Sequence, residues 1–198
     1  MKSIYEITAE DVEGRERVHT LLENDPRQAL TVARSISHPW YRCQSLVFVA
    51  EVWGTQEQKL QILDEAFAAA ALQTEINRVV TVSSWPLQVL ATLNASLAMP
   101  RVQGLVQQAC KEPHTLRRAH ALAALAWSVH PNEDLLTEVL PPLVHALLHG
   151  HGWRIDRLIR ATVELAVLAM PQSVGALVAH HSDGRKKRRL VESLPPGV

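Results

Sequence analysis

Histidines are the side chains of this chain that are best suited to metal binding. His145, His149 and His151 have ligand-like spacing, because residues four apart share a helix face and a third donor follows closely. No glutamate lies between the first two histidines, as a zinc-peptidase helix would require. Imidazoles near the end of a helix are equally explained by their interaction with its dipole when protonated. We therefore expect no metal and no cofactor, and these three histidines are the candidate ligands if a metal does bind.

A catalytic histidine site is the second kind of chemistry to consider. His114, His120 and the adjacent pair His180 and His181 offer acid–base groups, yet no known motif pairs them with a nucleophile or a carboxylate. The sequence also has no phosphate-binding glycine loop, no Gly-x-Ser-x-Gly motif and no kinase signature. We therefore predict a protein without catalytic activity, and an enzyme with a dispersed histidine site is the alternative.

Arginine and tryptophan favour recognition over catalysis. Guanidinium groups bind carboxylates and phosphates in bidentate fashion, and exposed tryptophans anchor partners. Most of the five tryptophans are expected in the core, but helix geometry places Trp153 beside Arg157 and Arg160. The basic run at residues 185–189 either extends such a surface or forms a solvated terminal run.

The composition indicates a globular protein without net charge. The 198 residues include 20 Lys+Arg and 20 Asp+Glu, and 47% of them are hydrophobic, which allows a sizeable core and argues against disorder. Neither a signal peptide nor an apolar stretch of about 20 residues is apparent, so we expect a cytoplasmic protein with no membrane association. Cys43 and Cys110 form no disulfide or zinc pattern, and we expect both to be small buried side chains.

The elements that must position these residues are predicted to be helices throughout. Glycine and aromatic residues are few, and segments rich in Ala, Leu, Gln and Glu favour an all-α fold. Prolines and capping residues such as Thr8, Asp25 and Thr55 mark the helix starts, and Gly54 and Gly150 mark helix ends. The predicted helices cover about 8–24, 26–37, 39–53, 56–72, 74–93, 97–111, 113–129, 131–149, 152–170, 171–181 and 184–194. The prolines expected in first turns are Pro26, Pro39, Pro100, Pro113, Pro131 and Pro171. Pro86 and the pair Pro141-Pro142 are expected to bend or break their helices.

An internal repeat organises these helices. The sequence RCQSLVFVA, which begins at Arg42, matches RAHALAALA, which begins at Arg118. Further copies of the frame begin at Arg78 and at Leu158, where the arginine is replaced, so the steps are 36, 40 and 40 residues. A two-helix unit of this length cannot bury its apolar face alone, so neighbouring units must stack on each other.

The period, the helix pairs and the Arg-x-x-small pattern resemble HEAT-type or armadillo-like repeats. Residues 135–169, with proline inside the first helix, form the most similar unit, and the resemblance covers about 26–170. It implies an α-α superhelix, a short right-handed solenoid of about four to five helical hairpins. In a single repeat domain, residues 1–25 form an N-terminal capping helix, 26–170 about four hairpins, and 171–198 a capping hairpin with a basic tail.

In such arrays the second helix of each hairpin lines the concave side, so the resemblance implies a groove. A helical wheel assigns to its wall the partner-binding candidates Arg117, His120, Trp153, Arg154, Arg157 and Arg160, and toward the N-terminus Tyr41, Gln44 and Asn77. The wheel also places Ser45, Ala121 and Ser128 on this polar stripe, and Arg118 in the apolar arc as a structural residue. The groove is expected to become basic toward the C-terminus. Residues 1–98 hold 8 Lys+Arg and 12 Asp+Glu, whereas residues 99–198 hold 12 and 8.

The sequence therefore predicts a non-catalytic scaffold or adaptor that binds an acidic protein segment in a basic concave groove. Nucleic-acid binding along the same basic stripes is the alternative, although a sequence pI of about 7.2 lacks the basic excess typical of that class. We expect a monomer or a weak homodimer formed through an apolar end of the array.

Overall fold

The computed structural model describes residues 5–194, and every regular element within that range is helical. The α-helices are α1 (Ala9–Leu22), α2 (Pro26–Ser35), α3 (Pro39–Val52), α4 (Gln56–Ala71), α5 (Ile76–Leu93), α6 (Ala95–Cys110), α7 (Thr115–Val129), α8 (Glu133–Leu148), α9 (Trp153–Ala169), α10 (Val174–His180) and α11 (Gly184–Glu192). A short 3-10 helix, Pro171–Ser173, precedes α10. The prediction of an all-α fold is confirmed. None of these helices combines the length and apolar character needed to cross a bilayer.

Several helix starts are held by the side chains that predicted them. Thr8 and Asp11 form a reciprocal capping box at α1, and Thr55 and Gln58 form another at α4. The side chain of Asp25 accepts a hydrogen bond from the first turn of α2. These contacts satisfy backbone N–H groups that have no partner within the helix, which fixes where each helix begins.

The internal prolines do not break their helices, whereas a bend at these positions stays a prediction. α5 continues through Pro86, and α8 continues through Pro141-Pro142. A proline at position 86 leaves the carbonyl of Val82 without its helical N–H donor. The thiol of Cys43, on the neighbouring α3, donates to that carbonyl with an Sγ to O distance of 3.7 Å. A side chain from the adjacent helix thus replaces the missing backbone donor.

Two local predictions are wrong. Pro100 lies inside α6, because that helix already begins at Ala95, where the side chain of Asn94 accepts a hydrogen bond from the backbone N–H of Leu97. Cys110 is exposed at the end of α6, whereas Cys43 is buried as expected. The two thiols therefore differ in accessibility.

Gly54 and Gly150 directly follow the C-cap residues of α3 and α8, as predicted, but they differ in conformation. Gly54 and Gly152 have positive φ angles of 102° and 96°, a region that favours glycine. Gly150 has no positive φ. A Cβ atom there would lie 2.6 Å from Cδ1 of Ile155, so glycine is needed for close packing of α9 against the loop.

The chain divides into two compact units, Met1–Ala98 and Met99–Val198, called the N-terminal and C-terminal units below. In the N-terminal unit α1 packs on α2 and α3, while α3, α4 and α5 pack on one another. In the C-terminal unit α7, α8 and α9 pack on one another, and α10 packs on α8, α9 and α11. Within each unit neighbouring helices therefore pack in pairs, which is consistent with the packing of helical repeats. The assignment of both units to one repeat domain stays a prediction.

The repeat frame coincides with the core. Its equivalent apolar positions are all almost completely buried: Leu46, Val82, Leu122 and Thr162. Polar contacts also join successive first helices. Arg34 on α2 forms an ion pair with Glu65 on α4 at 2.7 Å, and Gln103 on α6 donates to Glu138 on α8 at 3.4 Å. In each unit, the first helices of two successive hairpins are therefore joined by a polar contact, while membership of the HEAT family stays a prediction.

Candidate functional site

A cleft opens in the C-terminal unit beside α9 and the start of α11, and we call it the basic cleft. It has a volume of about 600 Å³, within the range of ligand-binding sites. Its lining consists of Trp153, Asp156, Arg157, Arg160, His181, Ser182, Asp183 and Lys186. Three predicted partner-binding residues, Trp153, Arg157 and Arg160, therefore lie together. All three are exposed, and Trp153 is 68% exposed.

The C-terminal basic run is an ordered part of this site. Residues 184–192 form α11, whose Leu190 is buried, and the Asp183 carboxylate accepts hydrogen bonds from two backbone N–H groups of its first turn. A second, adjoining cleft of about 310 Å³ shares Arg160 and Lys186 with the basic cleft. It is also lined by Glu164, Arg189, Leu190 and Ser193. Arg185, Lys186, Arg188 and Arg189 are exposed to solvent, and the extension of a binding surface by this run stays a prediction.

Asp156 joins α9 to the turn that precedes α11. It is buried, and it accepts hydrogen bonds from the Ser182 backbone N–H at 3.1 Å and from the Ser182 hydroxyl. The His181 ring lies 3.9 Å from the same carboxylate. Burial alone would raise the pKa of Asp156, but the Ser182 hydrogen bonds and the nearby His181 lower it overall. The carboxylate thus stays ionised and holds α11 in place.

Two arginine side chains of the basic cleft have no ion-pair partner within residues 5–194 and are therefore available to bind an anionic ligand. Arg157 and Arg160 form no ion pair with any of the described residues. Lys186 pairs at 3.3 Å with Asp183, the N-cap residue of α11. Asp156 and Asp183 also line this cleft as carboxylates, but neither forms an ion pair with Arg157 or Arg160.

α7 adds to the positive surface of α9. Burial, and then repulsion from Arg154 and Arg157, lowers the pKa of His120 below its usual value. The Arg154 guanidinium lies over the Trp153 ring, 5.3 Å from its centre. Arg117 is exposed one helical turn before His120. The predicted proximity of the basic residues on these two helices is therefore present in the C-terminal unit.

Part of the predicted polar stripe on α7 is buried and not accessible to a partner. Ala121 and Ser128 are buried, although the wheel placed them on the exposed side. A wheel gives the direction of a side chain from its own helix axis but not the packing around it. Arg118 donates to a backbone carbonyl of the preceding loop at 2.8 Å, which agrees with its predicted structural role.

Two of the three N-terminal candidates share a cleft of about 550 Å³ in the N-terminal unit, which we call the aromatic cleft. Tyr41 and Gln44 line it, but Asn77 does not; the next residue, Arg78, does. Its other lining residues are Tyr5, Ile7, Arg15, His38, Trp40 and Trp85. Ser45, which the wheel placed on the same stripe, is buried. A single groove that includes all predicted candidates stays a prediction.

The three candidate metal ligands are not brought together. The rings of His145 and His149 stack with their centres 4.2 Å apart, and Nδ1 of His149 lies 2.8 Å from the carbonyl oxygen of His145. His151 pairs instead with His180, at 5.4 Å between ring centres. Across residues 5–194, His, Cys, Asp and Glu side chains form no group of three or more suited to a metal ion.

The other histidines considered for catalysis hold backbone segments in place. The His114 ring accepts a hydrogen bond from the Arg117 backbone N–H at 3.4 Å and caps α7. His181 is buried and accepts from the Asp183 N–H at 3.1 Å. Nε2 of His180 lies 2.7 Å from a backbone carbonyl oxygen in the α8–α9 loop. Each of these rings therefore has a structural partner.

Comparisons with known proteins do not assign this chain to a family. No protein-family model, no curated protein and no solved structure matches it. Interpretation of both clefts therefore rests on their geometry.

Sequence reasoning missed the residues that complete the clefts. In the C-terminal unit these are Asp156 and Ser182, which meet because the chain reverses between α9 and α11, whereas Lys186 belongs to the basic run already considered as part of the surface. Asp183 directly before Gly184 indicated a helix start here, since Asp is a preferred N-cap residue, but it did not indicate which helix this turn contacts. In the N-terminal unit the missed lining residues are Tyr5, Ile7, Arg15, His38, Trp40, Arg78 and Trp85.

Proposed function

We propose that the protein is a non-catalytic interaction module whose basic cleft binds an acidic segment of a partner protein. The observation that carries the proposal is the convergence of Arg157, Arg160, Lys186 and Arg189 on two adjoining clefts, beside the exposed Trp153. Guanidinium groups bind carboxylates by bidentate, charge-assisted hydrogen bonds. A large exposed aromatic side chain supplies an apolar anchor in interfaces of this kind.

The distribution of acidic residues favours a short acidic segment over a nucleic acid. Asp156, Asp183 and Glu164 line the two clefts between the cations. A nucleic acid carries one phosphate per nucleotide and would place some of them near these carboxylates, whereas a short peptide needs complementary charge only locally. The chain as a whole has no net charge, which agrees with local recognition.

Nucleic-acid binding is the second candidate because of one observation. Trp153 is 68% exposed and lies beside the Arg154 guanidinium, an arrangement on which an unpaired base could stack. The two candidates differ in their salt dependence, since displacement of counterions makes nucleic-acid affinity fall steeply with ionic strength.

A binding titration tests the proposal with defined probes. Fluorescein-labelled hexaglutamate and labelled single-stranded and duplex oligonucleotides would be titrated with the full chain at two salt concentrations, with fluorescence anisotropy as the readout. We expect hexaglutamate to bind and each of Arg157→Ser and Arg160→Ser to weaken it about tenfold.

Two neighbouring arginines of α11 provide a matched control. Arg189 lines the adjoining cleft, whereas the exposed Arg188 lines neither cleft, so Arg189→Ser and Arg188→Ser remove the same charge at different places. Only Arg189→Ser should weaken hexaglutamate binding. Equal effects of both substitutions, or tight binding of oligonucleotides without binding of hexaglutamate, would refute the acidic-segment proposal.

A further inference from the structure

Aromatic residues are concentrated at the aromatic cleft of the N-terminal unit. The chain contains five Trp, two Tyr and two Phe, and four of these line the cleft: Tyr5, Trp40, Tyr41 and Trp85. The rings of Trp40 and Trp85 meet edge to face, with their centres 5.4 Å apart. The His38 and Tyr41 rings lie 5.5 Å apart. Walls of this kind hold planar rings, and a volume of about 550 Å³ matches a small ligand.

Two guanidinium groups reach the same cleft from different helices. Arg15 of α1 lies over the Tyr41 ring, 5.3 Å from its centre, and donates from Nη1 to Oε1 of Gln44 at 3.4 Å. Its Nε is buried and has no hydrogen-bond partner. Arg78 of α5 lies 3.6 Å from Glu75, and its side chain is 58% exposed. One guanidinium is therefore held in place and the other is accessible, and both retain donors for an anion.

The positive charge of the aromatic cleft is local. None of its described lining residues is acidic, although residues 1–98 as a whole hold 12 Asp+Glu against 8 Lys+Arg. Asp11, which lies near His38, accepts hydrogen bonds from the backbone N–H groups of Ser37 and His38 and of its own capping residue. Asp11 does not line the cleft, so the guanidinium groups of Arg15 and Arg78 are the charged groups of its described lining.

We propose that the aromatic cleft is a binding site for a small molecule that combines a planar aromatic ring with an anionic group. The ring would lie against the tryptophan and tyrosine side chains, and a phosphate or carboxylate would be bound by Arg15 and Arg78. His38, more than nine-tenths buried, lines the same cleft and has an unpartnered Nδ1. This site is independent of the basic cleft and takes a different class of ligand from the proposed acidic segment.

Calorimetric titration of the full chain tests this proposal with two aromatic anions. Adenosine 5′-monophosphate represents an aromatic phosphate, and 2-naphthoate represents an aromatic carboxylate. Their uncharged counterparts, adenosine and 2-naphthamide, and inorganic phosphate, which has no ring, are the comparison ligands. We expect at least one aromatic anion to bind with a dissociation constant below about 1 mM and its partial analogues to bind about tenfold more weakly. Which anion binds distinguishes a phosphate from a carboxylate ligand.

Substitutions locate the binding. Arg78→Gln should weaken the anion about tenfold, because it removes a charge-assisted contact from a largely exposed side chain and so leaves folding intact. Arg27→Gln removes an equally charged, exposed residue of the same unit that does not line the cleft, and it should have no effect. Circular dichroism confirms that both variants are folded. Absence of binding by both aromatic anions, equal binding of the uncharged counterparts, or equal effects of the two substitutions would each overturn the proposal.

Discussion

The contact between Cys43 and the Val82 carbonyl gives the sharpest test of how this fold accommodates a proline inside a helix. Pro86 removes the N–H that would bond that carbonyl, and the Cys43 thiol takes its place at 3.7 Å. Burial raises the pKa of Cys43 to about 12, so the thiol keeps its proton at neutral pH. We therefore predict that the effect of Cys43→Ala depends on the residue at position 86.

The expected magnitude follows from the two things that Cys43→Ala removes. An unpaired buried carbonyl costs about 1–2 kcal/mol, and loss of the fully buried sulfur costs about 1 kcal/mol of packing. The free energy of unfolding should therefore fall by about 2–3 kcal/mol. In a Pro86→Ala background the new backbone N–H can bond the carbonyl. There the same substitution should cost only about 1 kcal/mol, which is a coupling of about 1–2 kcal/mol.

Urea unfolding followed by circular dichroism measures all four proteins of this double-mutant cycle. Cys110→Ala serves as the matched control, because Cys110 is exposed and its removal should leave stability nearly unchanged. If Cys43→Ala costs the same free energy with proline and with alanine at position 86, the thiol does not replace the missing donor and the reasoning is wrong.

Three further predictions concern titratable groups. Asp11→Asn should lower the free energy of unfolding by about 2 kcal/mol at neutral pH. Burial opposes ionisation of Asp11, but its hydrogen bonds lower the pKa overall. The stability that ionised Asp11 contributes is therefore present above the unfolded-state pKa of about 3.9 and is lost as pH falls through the folded-state pKa. The urea midpoints of the wild-type protein and Asp11→Asn should converge in acid. Asp156→Ala should lower the free energy of unfolding by about 2–3 kcal/mol and increase amide hydrogen exchange in α11 before other helices. A uniform increase of exchange across the C-terminal unit would contradict the local role of Asp156. The pKa of His120, followed by NMR, should lie below its ordinary value and rise in Arg157→Gln, and an unchanged value would show that the two side chains are not neighbours.

Local signals determined how much of the fold could be predicted. Helix starts such as those at Thr8 and Thr55 depend on side chains within one turn of the chain, and the structure places them where the sequence indicated. Whether Pro86 breaks its helix could not be decided from the sequence, because the donor to the Val82 carbonyl comes from Cys43 on another helix. Composition and spacing carry no information about such a donor.

The candidate sites were predicted only in part for the same reason. The wheel found Trp153, Arg157 and Arg160 because all three lie on one helix, α9. It placed Ala121 on the surface because packing on other helices is invisible to a single-helix projection. Lys186 joins the arginines only through the reversal of the chain at α10, which no periodicity within α9 reports.

The order of helix packing also bears on how the polypeptide acquires its structure. Within each of the two units, the described helices that are seen to pack on one another are at most two α-helices apart along the chain. A hairpin that leaves the ribosome therefore packs, within its unit, on segments that are synthesised shortly before or after it. Contacts between helices that are close in sequence predict fast folding within each unit. Fast folding leaves little time for exposed apolar surface to aggregate.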